Sequence, residues 1–136
     1  MRLTLDIKKT IRGSVPRLPF EGIARKALPK GYHLSLVICG DMLSRSLNKK
    51  YRGKTYFPNV LSFPIDKREG EIFLNIRKAA REARIMRVTL TERLALLFVH
   101  GCFHLRGLHH GLTMEREEAR VLRAFGHTWH GASTRE

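Results

Sequence analysis

Residues 89–110, Thr89-Leu-Thr-Glu-Arg-Leu-Ala-Leu-Leu-Phe-Val-His100-Gly-Cys-Phe-His104-Leu-Arg-Gly107-Leu-His-His110, decide both the fold and the chemistry of this chain. Thr89 and Glu92 are spaced as a capping box, so a helix opens there. From Leu94 to Val99 that helix is apolar on every side, as expected of one buried at the centre of a fold. It runs straight into His100 and His104. Helical residues four apart lie one turn above each other, with Cβ atoms about 5–6 Å apart. Gly107 then offers a stop, after which the chain can bring His110 round to the same point. Three neutral imidazoles converging there, with no fourth protein ligand nearby, describe a catalytic site for one Zn2+ ion with an open position.

The spacing His-x-x-x-His-x-x-Gly-x-x-His matches the metzincin protease signature, except that Gly101 stands where those enzymes carry their glutamate base. A structural zinc would normally take four protein ligands, often cysteines. Cys102 lies about 200° round the helix from each ligand histidine, so the open site is preferred. Glycine in mid-helix costs about 1 kcal/mol relative to alanine; keeping it leaves room for substrate or backbone beside the metal. Four of the seven histidines fall between positions 100 and 110, which argues against chance placement. His109 is open to three readings: a group behind a ligand, an acid or base, or a solvated loop residue, the commonest case. His127 and His130 form a second His-x-x-His pair in a polar, glycine-flanked tail and read as incidental.

Outward from this helix, alternation predicts strands over Arg2–Ile7, Tyr32–Cys39, Asn59–Ile65 and Glu71–Asn75. Asp66–Gly70 is the expected turn of a hairpin between the last two. Helical spacing predicts a weaker helix over Pro16–Leu28 with Phe20, Ile23, Ala24 and Ala27 on one face. A second runs from an Asp41 N-cap to about Tyr51 with Met42, Leu43 and Leu47 inward. Ile76–Met86 is a strongly basic helix. Thr113–Phe125 is a last amphipathic one, with Met114, Ala119, Leu122 and Phe125 for the core and Glu115, Glu117 and Glu118 in its first turn, where carboxylates favour the dipole. The tail after Gly126 is expected to fray. No repeat or linker interrupts the chain, so the expectation is one α+β domain over residues 1–136, a mixed four-stranded sheet packed with helices.

The chain has 136 residues, 43% of them hydrophobic, which suits one folded domain. Lys and Arg total 26 against 12 Asp and Glu, a formal net charge of +14. Good solubility alone would be the bland reading. So large an excess favours RNA, DNA or a nucleic-acid-rich assembly as partner. The basic helix residues Arg77, Lys78, Arg81, Arg84 and Arg87 either track a phosphate backbone or form a solvated face. No aromatic ladder signals base stacking. Cys39 and Cys102 sit in apolar runs, as buried thiols of a reducing compartment do; a disulfide between them stays open. No signal peptide or membrane-length apolar run stands out, so the expectation is a cytoplasmic protein without a membrane partner.

The motif His100-Gly-Cys-Phe-His104-Leu-Arg-Gly-Leu-His-His110 resembles the signature of the YbeY endoribonuclease family, single-strand-specific ribonucleases of rRNA maturation. Leu47 to Pro64, LNKKYRGKTYFPNVLSFP, is similar to that family's LNxxYRGKxxPTDVLSFP block. Gly70-Glu71-Ile72-Phe73 stands where the family has a Gly-Asp-Ile strand. These segments lie in the family's order over the central and C-terminal two-thirds of the chain. Three departures stand out: His109 replaces the usual aspartate, Phe57-Pro58 replaces Pro-Thr, and the loop between the hairpin strands is short.

The resemblance implies a zinc held by His100, His104 and His110, and a part in activity for Arg52, the arginine of the YRGK block. It implies RNA as substrate, with rRNA and ribosomal particles as partners in ribosome biogenesis and quality control. A planar guanidinium can brace two phosphoryl oxygens as charge builds there; without the family match, Arg52 would read as a solvated surface residue. With the glutamate base missing, the zinc-activated water itself, a further water or the RNA's own 2′-OH stay open as the proton's route. Two rival readings remain: a metallohydrolase of another substrate class, such as a peptidase, and a non-catalytic RNA- or ribosome-binding protein with a structural metal.

Overall fold

Helix α4 (Leu90–Leu105) forms where its sequence places it. Thr89 Oγ1 accepts from the Glu92 N–H at 3.0 Å, and the Glu92 carboxylate reaches back to the Thr89 N–H. Every residue from Arg93 to Phe103 is buried. Burying each large apolar side chain here contributes about 1.5–3 kcal/mol. The computed structural model describes residues 2–129. Around α4 stand β1 (Thr4–Lys9), α1 (Phe20–Ala27), β2 (His33–Cys39), α2 (Asp41–Arg52), β3 (Val60–Asp66), β4 (Glu69–Asn75), α3 (Ile76–Met86) and α5 (Leu112–Ala124).

The strands make one mixed sheet in the order β1-β2-β4-β3, an α+β arrangement as expected. β1 and β4 each run parallel to β2, and β3 is antiparallel to β4. One sheet face packs on α4, which also touches α1, α3 and α5. Phe20 of α1 meets Phe98 of α4 edge-on at 5.0 Å. The hairpin turn is tighter than expected. β4 begins at Glu69, so only Lys67 and Arg68 join the strands, and a register shift between Pro64 and Asp66 absorbs the extra residue. Asp66 Oδ1 accepts the Arg68 N–H and closes the turn. Pro64, with no N–H to give, is tolerated because β3 is an edge strand.

Several boundaries and faces differ from expectation. β1 runs from Thr4 to Lys9, two residues later than its alternation suggested. α1 starts at Phe20 and not at Pro16, because Pro19 takes the N-cap position; the four expected inward residues are all buried. In α2, Gly40 and not Asp41 is the N-cap. Met42 is 78% exposed, Leu43 and Leu47 are only half-buried, and the buried face carries Ser44 and Asn48. Both are polar because they hold the loop that follows. Ser44 Oγ donates to the Pro58 carbonyl and Asn48 Nδ2 to that of Tyr56.

The basic face of α3 is likewise largely committed to structure. Lys78 Nζ donates to the Phe57 carbonyl and Arg77 to that of Arg12. Arg81 grips Asp41 through two bonds of 2.9 Å, and this holds the Asp41 carboxyl below its usual range. Three of the five cations expected to face phosphate or solvent therefore bind their own chain. Residues 127–129 do not fray: the His127 N–H donates to the Leu122 carbonyl and Trp129 packs on the core. His130 lies outside the described residues. Cys39 and Cys102 are buried and unbridged. Among the described residues no helix is long and apolar enough to cross a membrane.

Asn75 ties these elements together. It is fully buried, caps α3 through the Lys78 N–H, and donates to both Asp41 and the Pro58 carbonyl. Asn75→Ala removes the cap of α3 and takes one donor each from Asp41 and the Pro58 carbonyl, which keep Arg81 and Ser44. We expect a loss of about 2–3 kcal/mol, read as a lowered urea midpoint at unchanged slope.

Candidate metal centre

The two ends of the histidine motif reach one point by the expected route. α4 closes in a Schellman turn: the Gly107 N–H donates to the His104 carbonyl and the Leu108 N–H to that of Phe103. Gly107 holds φ at +89°, a conformation that L side chains rarely adopt. The chain reverses and delivers His110 to the end of α4. His104 Nε2 then lies 3.0 Å from His100 Nε2 and 3.2 Å from His110 Nε2. Nitrogen lone pairs this close repel one another unless a proton or a metal ion lies among them. Two ligand nitrogens on a tetrahedral zinc stand about 3.3 Å apart, from Zn–N bonds of about 2.0–2.1 Å, so the trio fits such an ion. His100 is buried, His104 half-buried and His110 exposed, so the group opens from the core toward solvent.

Glu118 supports the buried end. Its expected position in the first turn of the last helix suggests a partner of the dipole. Instead it is 2% exposed, and its Oε2 accepts from His100 Nδ1 at 2.6 Å. A carboxylate only accepts, so the proton is fixed on Nδ1 and the Nε2 lone pair faces the other two histidines. The signal was in the spacing. Met114, Glu118, Val121 and Leu122 form one inward stripe of α5, with the glutamate at an apolar position.

Of the two uses expected of Gly101, room for substrate and room for backbone, the structure shows close packing and no opening. A Cβ there would stand 3.0 Å from Ser62 Oγ, 3.2 Å from Ile72 Cδ1 and 3.3 Å from Val60 Cγ2. The space beside it is filled by β3 and β4, not left for substrate. Ser62 Oγ also donates to the Gly101 carbonyl at 3.0 Å, pinning the edge strand to the metal helix.

Arg52 joins the histidines in space. It lines an open pocket of about 340 Å³ with Leu61, Ser62, His104 and His110. Gly53, at φ +66°, ends α2 directly after Arg52, and the loop beyond is held by Ser44, Asn48, Asn75 and Lys78. The loop's far end is fixed by Asn59, whose Nδ2 donates to Glu82, the carboxylate that pairs with buried Arg93 of α4 at 2.9 Å. A larger cleft of about 710 Å³, lined by Arg2, Leu3, Arg25, Pro29 and Lys30, contains none of the histidines. His109 is exposed and does not line the histidine pocket, which leaves it the solvated reading. Burial pushes the Cys102 thiol well above its ordinary range, and that of Cys39 up to about 12. Neither thiol joins the three histidines in the group of ligand atoms.

The family model described as Endoribonuclease YbeY matches residues 7–126. A relative of that name from Aromatoleum aromaticum is 34% identical over 129 residues, covering 89% of this chain and 84% of the relative. Another from Chromobacterium violaceum is 33% identical over 137 residues, covering 90% and 79%. A solution structure from Thermotoga maritima is similar with a TM-score of 0.64 over 90% of each chain at 22% identity, a likeness of fold.

Because the sheet fills the space at Gly101, a metzincin-like glutamate cannot be accommodated there. Gly101→Glu is expected to cost about 3 kcal/mol or more through overpacking, roughly 10 °C in Tm by thermal denaturation.

Proposed function

The chain belongs to the endoribonuclease YbeY family, and on that premise we propose that residues 1–136 form a single zinc-dependent endoribonuclease domain. Its substrate is single-stranded RNA, and its setting is rRNA maturation on ribosomal particles in the cytoplasm. The observation that carries this reading is one pocket lined by both the exposed end of a three-imidazole cluster and Arg52.

His100, His104 and His110 would hold the zinc through their Nε2 atoms. When bound, such an ion supplies Lewis acidity toward a phosphoryl oxygen and lowers the pKa of water enough for attack at neutral pH. The protein's own residues do the rest. Glu118 holds the proton on His100 Nδ1, so that ring offers its lone pair to the site. Arg52 is the catalytic candidate: its guanidinium braces two non-bridging oxygens of the phosphodiester and stabilises the charge that grows there. Ser62 holds the β3 wall of the pocket against α4, which sets how far the phosphate sits from the imidazoles. The formal net charge of +14 draws the polyanion to the site from a distance. The peptidase reading loses support at Gly101, where no base stands and none fits.

Two substitutions test this reading. His104→Ala should release the metal and abolish RNA cleavage. Arg52→Glu should retain one equivalent of zinc by metal analysis and lose cleavage by at least about 100-fold. Wild-type cleavage by the Arg52 variant would remove the arginine from the mechanism. Cleavage that survives chelation of the wild-type protein would remove the metal.

A further inference from the structure

Glu118 is held from two sides, and only one of them is the histidine. Its Oε2 accepts from His100 Nδ1, while its Oε1 accepts from Trp129 Nε1 at 3.0 Å. Trp129 is the single tryptophan of the chain and lies beyond α5, which ends at Ala124. It returns to its own helix by a defined turn: Gly126 takes φ +78°, and the His127 N–H caps the Leu122 carbonyl. The indole packs against the core, and its N–H points at a carboxylate that is 2% exposed. A buried carboxylate oxygen without a donor carries its full desolvation penalty, so the indole and the imidazole together determine how this side chain sits.

From this chain of contacts we infer that Trp129 is a positioning residue of the metal centre, acting through Glu118 on His100. The segment after α5 is thereby part of the site, although it contributes no ligand. The inference rests on the proposed metal role of the three histidines. Outer partners of a metal-bound histidine orient the ring and raise its basicity, and losing one costs about 10–100-fold in metal affinity. Trp129 stands one contact further out. Replacing it by phenylalanine keeps an aromatic ring for the packing and removes the N–H. Glu118 Oε1 then loses its donor, the carboxylate is free to turn, and the direction of His100 Nε2 is less sharply set.

A double-mutant cycle on zinc affinity tests the relay, using the full chain and competition with a chromophoric chelator. Glu118→Ala is expected to weaken zinc binding about 10–100-fold and Trp129→Phe about 3–10-fold. The double variant should match Glu118→Ala alone, because with no acceptor at position 118 the indole has nothing left to act through. Trp129→Phe binding as tightly as wild type overturns the inference, as does an equal loss in both backgrounds. A merely structural tryptophan would lower the Tm of the metal-free protein without this coupling in zinc affinity. One readout needs no variant: zinc added to the metal-free wild type should shift the emission of Trp129, and emission indifferent to zinc while the chelator reports binding also overturns it. Wild-type protein that fails to take up zinc at all defeats the metal reading itself, and the relay with it.

Discussion

Helix α4 meets the sheet at a point where no side chain fits, and both halves of the candidate site are positioned from that contact. Gly101 lets the helix backbone come within reach of Ser62, Val60 and Ile72, and the Ser62 hydroxyl binds the Gly101 carbonyl directly. One residue earlier on the helix is His100; three later is His104. One residue before Ser62 on the strand is Leu61, which shares the pocket wall with Arg52. The distance from that pocket wall to the imidazoles is therefore set by helix-to-sheet packing. Dense interiors do not deform continuously, so that distance is stiff. A glycine in mid-helix is unfavourable locally, and the close approach it permits is the reason it is used here.

The second structural theme is polar anchoring of the segment between α2 and β3. Gly53 to Asn59 has no regular structure, yet its carbonyls at Tyr56, Phe57 and Pro58 accept from Asn48, Lys78, and Ser44 with Asn75. These bonds replace the ladder partners that an irregular backbone lacks. Asn59 then hands the chain to Glu82 and Arg93, an ion pair whose arginine is almost wholly buried. Arg52 stands at the start of this braced segment. A cationic side chain on a loose loop would lose entropy on meeting a phosphate; one at the end of a helix, before a pinned loop, loses less.

Much of this architecture was legible in the residues. The capping box at Thr89 and Glu92, the bounds of α3, the inward face of α1 and the glycine stop at Gly107 all follow from contacts three to five residues apart. What misled was polarity at buried positions. Ser44 and Asn48 lie on the inner face of α2 because loop carbonyls need donors there. Met42 is exposed although its side chain is apolar, because among the described residues nothing packs closely enough on that face of the helix to cover it. Glu118 looked like a partner of the helix dipole, since its true partner lies eighteen positions away. The basic run on α3 read as a phosphate track or a solvated face, whereas Arg77, Lys78 and Arg81 find acceptors on their own chain.

Sequence alone determined the α+β class, the central buried helix and the convergence of three histidines, because helical rotation and a left-handed glycine are local geometry that any setting preserves. Tertiary structure alone decided that Arg52 shares the histidines' pocket, that Gly101 is a point of contact and not an opening, and that Glu118 and Trp129 stand behind His100. Those relations join residues remote along the chain. Their strength depends on burial, which takes away water as the competing partner and exists only once the helices have closed on the sheet.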